Sequence, residues 1–306
     1  MKVLVTGGSG FVGSHVVDAL IAAGHEPYVF DLREPRSGTF LRGDLTRLDD
    51  LVLATAQVEA VCHLGAVGDV YLAFNDPPLA AALNVVGTAN VMQAALQNQL
   101  RKVVYASTWE VYGDPHYEPL DELHPCNPDH PYNITKLAGE RLALSYDALK
   151  GVPVVALRLG TAYGLRMRPN SVFSIFIDRA RKGEAITIQG TGSQSRQFTH
   201  ARDIARAFVL ALAADVHGSA YNIVASESIS IRQLAEMVTA ELPTEIVCTE
   251  ARVGDVPPAM ISSEKAAQQL GWTSGVNFRD GLRELLYAQL ADAATPVAAS
   301  AATAAR

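Results

Sequence analysis

The sequence has few cysteines, and those it has are not arranged in pairs. Cys62, Cys126 and Cys248 are the three cysteines among 306 residues, they are widely spaced, and no C-x-x-C motif occurs. An odd number of scattered cysteines predicts neither a disulfide framework nor a zinc site. We therefore expect a protein without a bound metal, whose thiols are structural or free.

Positive charge and long hydrophobic runs are also scarce. The chain has 25 Lys and Arg against 32 Asp and Glu, a net charge of −7, whereas a nucleic-acid or acidic-membrane surface needs a clustered basic face. No stretch approaches the run of about 20 apolar residues that a membrane span needs, and the N-terminus opens directly into a predicted strand, without the design of a signal peptide. We therefore expect a cytoplasmic protein with no nucleic-acid and no membrane partner.

Strand-like and helix-like segments alternate along the first half of the chain. The apolar runs KVLVT, EPYVFD, AVCHLGA, KVVYAST and PVVALRLG are separated by helical patterns such as FVGSHVVDALIAAG and YNITKLAGERLALSYDALK. Strict alternation of this kind is typical of βαβ units. It predicts an α/β fold with a Rossmann-type, doubly wound parallel sheet that is covered by helices on both faces.

The predicted domain organisation follows from where this alternation stops. We assign the Rossmann domain to residues 1–165, with 197–220 returning to it. Residues 166–196 and 221–290 contain short mixed elements and are predicted to form a smaller mixed α/β lobe that binds the substrate. The tail, residues 291–306, is low in complexity and has no bulky apolar stripe, which predicts a frayed helix or a disordered segment.

A glycine-rich turn joins the first predicted strand to the first predicted helix. In TGGSGFVGSH, Gly8, Gly10 and Gly13 fit the G-x-G-x-x-G spacing, and a T-G-x-x-G-x-x-G pattern begins at Thr6. Glycines at these positions allow a tight turn, and they let a pyrophosphate approach the backbone amides at the helix N-terminus. The turn therefore predicts a bound dinucleotide.

An acidic residue at the end of the second predicted strand indicates which dinucleotide is bound. Asp31 follows Gly13 by 18 residues, where its carboxylate can accept hydrogen bonds from the ribose hydroxyls and would repel a 2′-phosphate. NAD is therefore preferred to NADP, although Arg33 and Arg36 could offset the carboxylate. The residues that these motifs predict to bind NAD are Gly7, Gly10, Phe11, Val12, Gly13 and Asp31.

A tyrosine and a lysine four residues apart supply a candidate acid–base pair. In YNITK, Tyr132 and Lys136 fall on one face of a predicted helix. A tyrosine with its ordinary pKa near 10 is a poor base at neutral pH, but an adjacent ammonium stabilises the phenolate and lowers that pKa. Tyr132 could then take a hydroxyl proton while a hydride passes to NAD.

Taken together, these motifs resemble those of the extended short-chain dehydrogenase/reductases, and specifically the NAD-dependent nucleotide-sugar epimerases and dehydratases. The resemblance runs over nearly the whole chain and includes TGGSGFVGSH, GDL, HLGA, NVVGTAN, STWEVYG, PYNITK, GSQSRQF and RVGDVP. It implies that Thr108 hydrogen-bonds the reacting sugar oxygen, that Tyr132 is the base and that Lys136 activates it. It also implies a homodimer formed through two helices, at about 83–98 and 132–149.

The same resemblance implies further contacts with the cofactor. The residues concerned are Asp44 and Leu45 at the edge of the adenine, Leu64, Gly65 and Ala66 along the cofactor groove, and Asn84, a buried asparagine that supports the active-site lysine. Gly65 stands where alanine is usual, and we expect this departure to leave room for the cofactor.

Two arginines indicate the substrate class. Arg196 in SRQF and Arg252 in RVGD match family arginines that bind a nucleotide diphosphate, and a guanidinium suits forked contacts with phosphate. The expected partner is therefore a nucleoside diphosphate sugar, with a UDP-sugar as first choice, bound also by Thr108, Trp109 and Thr161. Thr161 replaces an asparagine that is frequent in the family, so the resemblance leaves the base and the sugar open.

The residues that follow Thr108 leave more than one reaction open. Family members that only epimerise at C4 often carry a small or hydroxyl residue at the position of Glu110, whereas those that eliminate water or decarboxylate a uronic acid often carry glutamate, which can act as a base beside C5. Dehydratases, however, commonly place a protic group at the position of Trp109, and an indole has no useful acidity. We expect a 4-epimerase, with dehydration or decarboxylation through Glu110 as the alternative, and a non-catalytic dinucleotide sensor as a third interpretation.

Overall fold

A parallel sheet of seven strands organises residues 1–250 and 259–294, which are the residues that the computed structural model describes. The strands of the described chain are β1 (Lys2–Thr6), β2 (Glu26–Asp31), β3 (Thr39–Arg42), β4 (Ala60–His63), β5 (Lys102–Thr108), β6 (Val154–Leu159), β7 (Thr161–Tyr163), β8 (Ile186–Gln189), β9 (Ser195–Arg196), β10 (Phe198–His200), β11 (Ser219–Ile223), β12 (Ile229–Ser230) and β13 (Ile246–Thr249).

Helices connect these strands and cover both faces of the sheet. They are α1 (Phe11–Ala22), α2 (Leu48–Thr55), α3 (Val70–Asn75), α4 (Pro77–Ala81), α5 (Thr88–Gln97), α6 (Pro131–Lys150), α7 (Val172–Arg181), α8 (Ala201–Ala213), α9 (Ile231–Glu241), α10 (Glu264–Leu270) and α11 (Phe278–Ala294), with a π-helical turn at Ala82–Gly87 and a 3₁₀ turn at Trp109–Tyr112. The part of the predicted tail beyond Ala294 lies outside the described residues.

The order of the strands confirms the predicted Rossmann-type fold. Across the sheet the order is β11, β6, β5, β4, β1, β2 and β3, and each adjacent pair is parallel. The chain first moves outward from β1 to β3 and then returns to the other side of β1 with β4. Ligands of open α/β sheets bind at the carboxyl ends of the strands where the order reverses in this way, and the carboxyl ends of β1 and β4 therefore position the site.

Apolar side chains from both faces of the sheet form the core. In β1, Val3 and Val5 belong to a cluster that includes residues of α1 and α8, whereas Leu4, between them, belongs to a cluster that includes residues of α2, α5 and α6. Successive side chains of a strand point to opposite faces, so a strand covered on both sides is a continuous apolar run. This is why the strands were visible in the sequence.

Residues from the later part of the chain complete the first of these clusters. Trp272, which follows α10, is buried in it, and its indole Nε1 donates a hydrogen bond of 2.8 Å to the carbonyl oxygen of Asp203. Strand β11, which pairs with β6, continues to Ile223. The division of the chain at residue 220 stays a prediction, and these contacts indicate that the later segment contributes to the core of the first.

Outside the seven-stranded sheet, short strands form pairs and several aromatic rings form a cluster, whereas the predicted division into two domains stays a prediction. Strands β7 and β10 pair in parallel, as do β8 and β13, whereas β9 and β12 are antiparallel. In the cluster, the rings of Tyr163 and Phe173 stack with centroids 5.2 Å apart, and Phe198 and Phe278 stack at 5.7 Å. Phe173 and Phe198 also line the cleft at the edge of the sheet, which links this cluster to the site.

One helical stretch is long and apolar enough to be compared with a membrane span. It covers Pro77–Gln97, with a mean hydropathy of 1.4 in its most apolar window, of which 44% is buried within the protein. Helix α5, which forms its second half, packs against α2 and α6. A core helix of a soluble protein has the same length and composition, so this stretch is weak evidence for a membrane segment.

Candidate active site

A cleft of about 940 Å³ opens at the carboxyl ends of the central strands. The predicted site residues that line it are Gly7, Gly10, Phe11, Val12, Gly13, Asp31, Asp44, Leu45, Leu64, Gly65, Ala66, Thr108, Trp109, Glu110, Tyr132, Lys136 and Thr161. Asn84 lies behind the wall of the cleft, and Arg196 lines a smaller neighbouring cavity. Arg252, predicted to bind phosphate, lies outside the described residues.

The glycine-rich turn has the shape of a pyrophosphate cradle. Gly7 has a φ of +70°, a backbone conformation that residues other than glycine rarely adopt. A Cβ on Gly13 would lie 2.1 Å from the carbonyl oxygen of Gly7. Helix α1 begins directly afterwards at Phe11, with Gly10 as its N-cap. Only glycines permit the turn to close this tightly onto a helix N-terminus, whose free amides and positive dipole end favour a phosphate.

Asp31 is fixed at the end of β2 by backbone amides on both sides. Its Oδ2 accepts a hydrogen bond of 3.1 Å from the amide of Ser9, and its Oδ1 accepts one of 3.0 Å from the amide of Arg33. Each carboxylate oxygen has a further lone pair, and Asp31 lines the cleft. The carboxylate is therefore placed to accept hydrogen bonds from ribose hydroxyls, and the chemistry of the site fits a dinucleotide.

The side of the cleft predicted to meet the adenine is closely packed at Gly65. A Cβ at this position would lie 2.7 Å from Cδ1 of Leu45, so the missing methyl group makes room for the leucine side chain. Gly65 also lines the cleft, and the room that it is expected to leave for the cofactor stays a prediction. Asp44, next to Leu45, accepts hydrogen bonds of 2.9 Å at Oδ1 from both the amide and the hydroxyl of Thr46.

Asn84 supports the cleft wall from within the π-helical turn. Its side chain accepts a hydrogen bond of 2.8 Å from the amide of Val67 and donates one of 3.0 Å to the hydroxyl of Thr135. Thr135 directly precedes Lys136, and Val67 lines the cleft. The predicted support of the active-site lysine by Asn84 therefore runs through Thr135.

The candidate catalytic side chains come from the end of β5 and the start of α6. Thr108 ends β5 and caps the 3₁₀ turn that begins at Trp109, because its hydroxyl accepts a hydrogen bond of 3.3 Å from the amide of Glu110. Helix α6 begins with Pro131 and is capped by His130, whose Nδ1 accepts a hydrogen bond of 3.2 Å from the amide of Tyr132. These two local caps bring Thr108, Tyr132 and Lys136 to the same cleft.

Lys136 is buried and Tyr132 is half-buried, and desolvation shifts the pKa of both side chains. Desolvation and the neighbouring Glu110 raise the pKa of Tyr132, while a hydrogen bond with Thr108 and the charge of Arg168 oppose the rise. Burial lowers the pKa of Lys136 to about 7, and Glu140 opposes that change. The net shift of the Tyr132 pKa is upward because desolvation of the phenolate outweighs the influences that oppose it. The activation of Tyr132 by Lys136 stays a prediction.

Glu110 and Trp109 lie side by side but in different surroundings. Burial raises the pKa of the Glu110 carboxyl group, and Arg196 acts in the opposite direction. The indole of Trp109 is buried against Tyr112, Leu120, Val224 and Ile261. The side chain facing this part of the cleft beside Glu110 is therefore an apolar wall.

A smaller cavity of about 10 Å³ adjoins the cleft at this wall. Trp109 and Thr161 line both spaces, and Arg196 and Gln197 line the smaller one. The predicted phosphate-binding Arg196 thus lies in a cavity next to the cleft, and its charge acts on Glu110.

The sequence analysis missed an ion pair in the lining of the cleft. Asp69, the N-cap of α3, binds Arg168 from the segment before α7, and both line the cleft. The same segment is held from the other side, where the Nε2 of His15 bonds the carbonyl oxygen of Leu165 at 2.9 Å. Because Asp69 and Arg168 are 99 residues apart in the chain, no local pattern could have joined them, although the aspartate before VYLAF is a helix-start signal.

The described residues do not bring together any group of three or more His, Cys, Asp and Glu side chains that could hold a metal ion. The three cysteines are unpaired: Cys62 is buried in the sheet, Cys126 is half-buried and Cys248 is exposed.

Comparison with known proteins is consistent with this site. A family model described as the NAD dependent epimerase/dehydratase family matches residues 3–224. The UDP-glucose 4-epimerase of Mycolicibacterium smegmatis is 32% identical over 303 residues, which cover 92% of this chain and 96% of that protein. The structure of the UDP-glucose 4-epimerase of Thermotoga maritima with UDP-glucose aligns with a TM-score of 0.90 and 27% identity, over 96% of this chain and 100% of that one. MoeE5 in complex with UDP-glucose and NAD aligns with a TM-score of 0.88 and 33% identity, over 96% and 100% of the two chains.

Proposed function

We propose that this chain, which belongs to the NAD dependent epimerase/dehydratase family, is a nucleotide-sugar 4-epimerase with NAD as its cofactor. The glycine turn would hold the pyrophosphate and Asp31 the adenosine ribose, and Tyr132 and Lys136 would border the nicotinamide. When bound, NAD supplies an acceptor for the hydride of C4 and returns that hydride to the other face of the sugar.

The chain's own residues supply the proton chemistry. Thr108 and Tyr132 both line the cleft, where Thr108 can position the hydroxyl group at C4. Once Tyr132 has released its own proton to solvent, its phenolate oxygen can take the proton of that hydroxyl group. Lys136 carries the positive charge that stabilises the phenolate once it forms. The retained proton can then return to the oxygen at C4, which leaves the residues as they began.

The observation that carries the choice of epimerisation is the indole of Trp109. Elimination of water requires an acid for the departing hydroxyl group as well as a base at C5, and Trp109 can only donate a hydrogen bond. Its packing against Tyr112 and Val224 fixes it as a flat apolar wall. A sugar that must turn over between two hydride transfers meets little resistance along such a wall.

A nucleoside diphosphate sugar, with a UDP-sugar as first choice, is the substrate class we propose. Arg196 lies beside the cleft in the cavity behind Trp109, where a guanidinium could bind a diphosphate. Arg252 is proposed for the same role from the resemblance alone. UDP-glucose is bound by the Thermotoga maritima enzyme and by MoeE5, and MoeE5 also has a structure with UDP-glucuronic acid, so the test must include both sugars.

Glu110 is the observation that favours a second candidate, a dehydratase or decarboxylase. It lines the cleft, and burial raises the pKa of its carboxyl group. A raised pKa makes a carboxylate a stronger base. In this alternative Glu110 would remove the C5 proton of an oxidised sugar. The third interpretation, a non-catalytic sensor, is disfavoured because Thr108, Tyr132 and Lys136 all reach the cleft.

The test is to incubate the protein with UDP-glucose, UDP-glucuronate and UDP-N-acetylglucosamine in deuterated water, and to analyse each product by NMR and mass spectrometry. A 4-epimerase conserves the mass of the sugar and leaves C4 and C5 without deuterium. Loss of water or carbon dioxide, or deuterium at C5, would contradict the proposal and make Glu110 the base.

A further inference from the structure

A network of buried polar side chains lies directly behind the candidate catalytic residues. Glu140 on α6 is fully buried and accepts hydrogen bonds of 3.0 and 2.6 Å from Nε and Nη2 of Arg158 on β6, as well as one of 2.5 Å from the hydroxyl of Ser107. Nη1 of Arg158 donates to the hydroxyl of Tyr112 at 2.9 Å, and that hydroxyl donates to Oδ1 of Asn222 at 2.7 Å. The ion pair thus has further hydrogen-bond partners at both ends.

This network of buried polar side chains includes residues that are close in sequence to two candidate catalytic residues. Ser107 directly precedes Thr108 on β5, and Glu140 follows Lys136 by four residues, one helical turn further along α6. Side chains four apart on a helix lie on the same face. Lys136 itself is only 5% exposed, so its ammonium has little water to stabilise it and depends on the charges around it.

The other groups around Lys136 do not supply a negative charge at neutral pH. From β5, the ring of Tyr105 lies under Nζ at 4.4 Å, and its hydroxyl donates to the carbonyl oxygen of Lys136. From β4, burial and the charge of Lys136 lower the pKa of His63, which keeps this imidazole neutral. On α6, Tyr132 is protonated because its pKa is raised.

Two charges near Tyr132 complete the surroundings of the pair. Glu110 and Arg168 act on Tyr132 in opposite directions, and burial shifts Glu110 toward its neutral form. The charge of Glu140 is the influence that opposes the loss of the Lys136 proton. The hydrogen bonds with Arg158 and Ser107 hold the Glu140 carboxylate in place.

We propose that Glu140, held by Arg158 and Ser107, is a positioning residue that keeps Lys136 protonated at neutral pH, so that the lysine can stabilise the Tyr132 phenolate. The inference deepens the proposed function, since the role of Lys136 in the reaction rests on it. Above the pKa of Lys136, about 7, the ammonium is lost and the activation of Tyr132 with it. Removing the charge of Glu140 lowers that pKa further and moves this loss to more acidic pH.

The test measures the protonation of Lys136 without a sugar. The full-length protein is treated briefly with acetic anhydride over a range of pH, and the acetylation of the peptide that contains Lys136 is measured by mass spectrometry. In the native protein we expect the midpoint of labelling near neutral pH. In Glu140→Gln we expect the midpoint to fall by about one pH unit, the size of effect that a nearby charge has on a buried group.

A second variant guards against failure of Glu140→Gln to fold. That substitution leaves the guanidinium of Arg158 buried without its partner, which is strongly destabilising. The double variant Glu140→Gln with Arg158→Met removes both charges and should show the same downward shift of the midpoint. The matched control is Arg158→Lys, which keeps a cation beside Glu140 and should leave the midpoint of Lys136 unchanged while lowering the melting temperature.

If Glu140, Arg158 and Ser107 only stabilise the fold and do not affect the protonation of Lys136, the labelling experiment gives a different result. In that case Glu140→Gln, the double variant and Arg158→Lys all lower the melting temperature, and the midpoint of Lys136 stays where it is in the native protein, which would overturn the inference. With NAD bound, the alkaline limb of the pH profile for sugar turnover should move in the same direction as the labelling midpoint. A shifted midpoint in a protein without 4-epimerase activity would leave this inference standing and overturn the proposed function.

Discussion

Glu110 and Tyr132 influence each other because both lie half-buried beside the end of β5. The charge of Glu110 raises the pKa of Tyr132, and burial raises the pKa of Glu110 itself. The sequence could place both residues, since STWEVYG and YNITK are local motifs. It could not supply the direction of their pKa shifts, because desolvation depends on side chains that only the fold brings together, such as Val67, Ala73 and Ala80, against which Tyr132 packs.

Tyr132→Phe tests the assignment of the acid–base residue. The substitution removes the phenolic oxygen without changing the bulk of the ring, so we expect NAD binding and the melting temperature to be retained. Turnover of the nucleotide sugar should fall by about 10²- to 10⁴-fold, the usual effect of losing a positioned acid–base group. Tyr146→Phe is the control, since Tyr146 lies on the same helix and its hydroxyl bonds only Gln93 among the described contacts. Near-native turnover in Tyr132→Phe would remove Tyr132 from the mechanism.

Glu110→Gln separates the two candidate reactions at a single residue. An epimerase never removes the C5 proton, so Glu110 would serve only to orient the sugar or to hold the end of β5 through its amide. We then expect the glutamine variant to keep turnover within about tenfold of the native enzyme. If Glu110 is the base at C5, its loss should cost about 10²- to 10⁴-fold, measured as the initial rate with the best sugar of the panel. A loss of that size would favour the dehydratase or decarboxylase alternative.

At the scale of elements, features set by neighbouring residues could be predicted from the sequence, whereas contacts between distant segments could not. The glycine turn, the strand ends and the start of α6 could be predicted, because their caps and turn residues are neighbours in sequence. The pairing of β11 with β6 could not, since the alternation of strands and helices loosens after β6 and the partners are about 65 residues apart. The Asp69–Arg168 pair escaped prediction for the same reason.

Gly13→Ala tests the turn between β1 and α1 as a cofactor site. The added Cβ would lie 2.1 Å from the carbonyl oxygen of Gly7, so the turn must open and its amides lose their arrangement. We expect the affinity for NAD to fall by at least about tenfold, or about 1.4 kcal/mol, in a titration followed by calorimetry. Ser14→Ala, at the next position of α1, loses only a hydrogen bond to the carbonyl oxygen of Phe11 and should bind NAD nearly as the native protein does. Unchanged affinity in Gly13→Ala would show that the pyrophosphate lies elsewhere.

At the scale of the whole molecule, the alternation of strand-like and helix-like segments could predict an α/β fold, but it could not predict which later residues pack into the core of the sheet. Trp272 packs into the core of the Rossmann sheet although it lies within the region assigned to the smaller lobe. Its indole bonds the carbonyl oxygen of Asp203, and Asp203 in turn accepts hydrogen bonds from the amides of Gly275 and Val276. These contacts depend on single side chains and their particular partners, which the spacing of apolar residues along the sequence does not specify.

The predicted homodimer is also a property of the whole molecule, and the surface of the two helical segments supports it as a proposal. Large apolar side chains stand exposed on both, namely Val86 at 51%, Ile134 at 47% and Leu149 at 82%. A second copy of the chain could cover them, because a two-fold interface places the same patch on both partners. Exposed apolar patches of this kind commonly mark protein–protein contacts.

The test is the mass of the protein in solution at micromolar concentration, measured by light scattering after size exclusion. We expect a mass of about twice the 32.7 kDa of one chain. The double variant Val86→Glu with Ile134→Glu should elute as a monomer, since it places carboxylates where the two copies would meet and charged groups without partners are costly to bury. Leu123→Glu, an equally drastic change at a residue that is 89% exposed and lies outside both helices, should leave the mass unchanged. A native protein of 32.7 kDa under these conditions would contradict the dimer, and the exposed side chains of the two segments would then need a different partner.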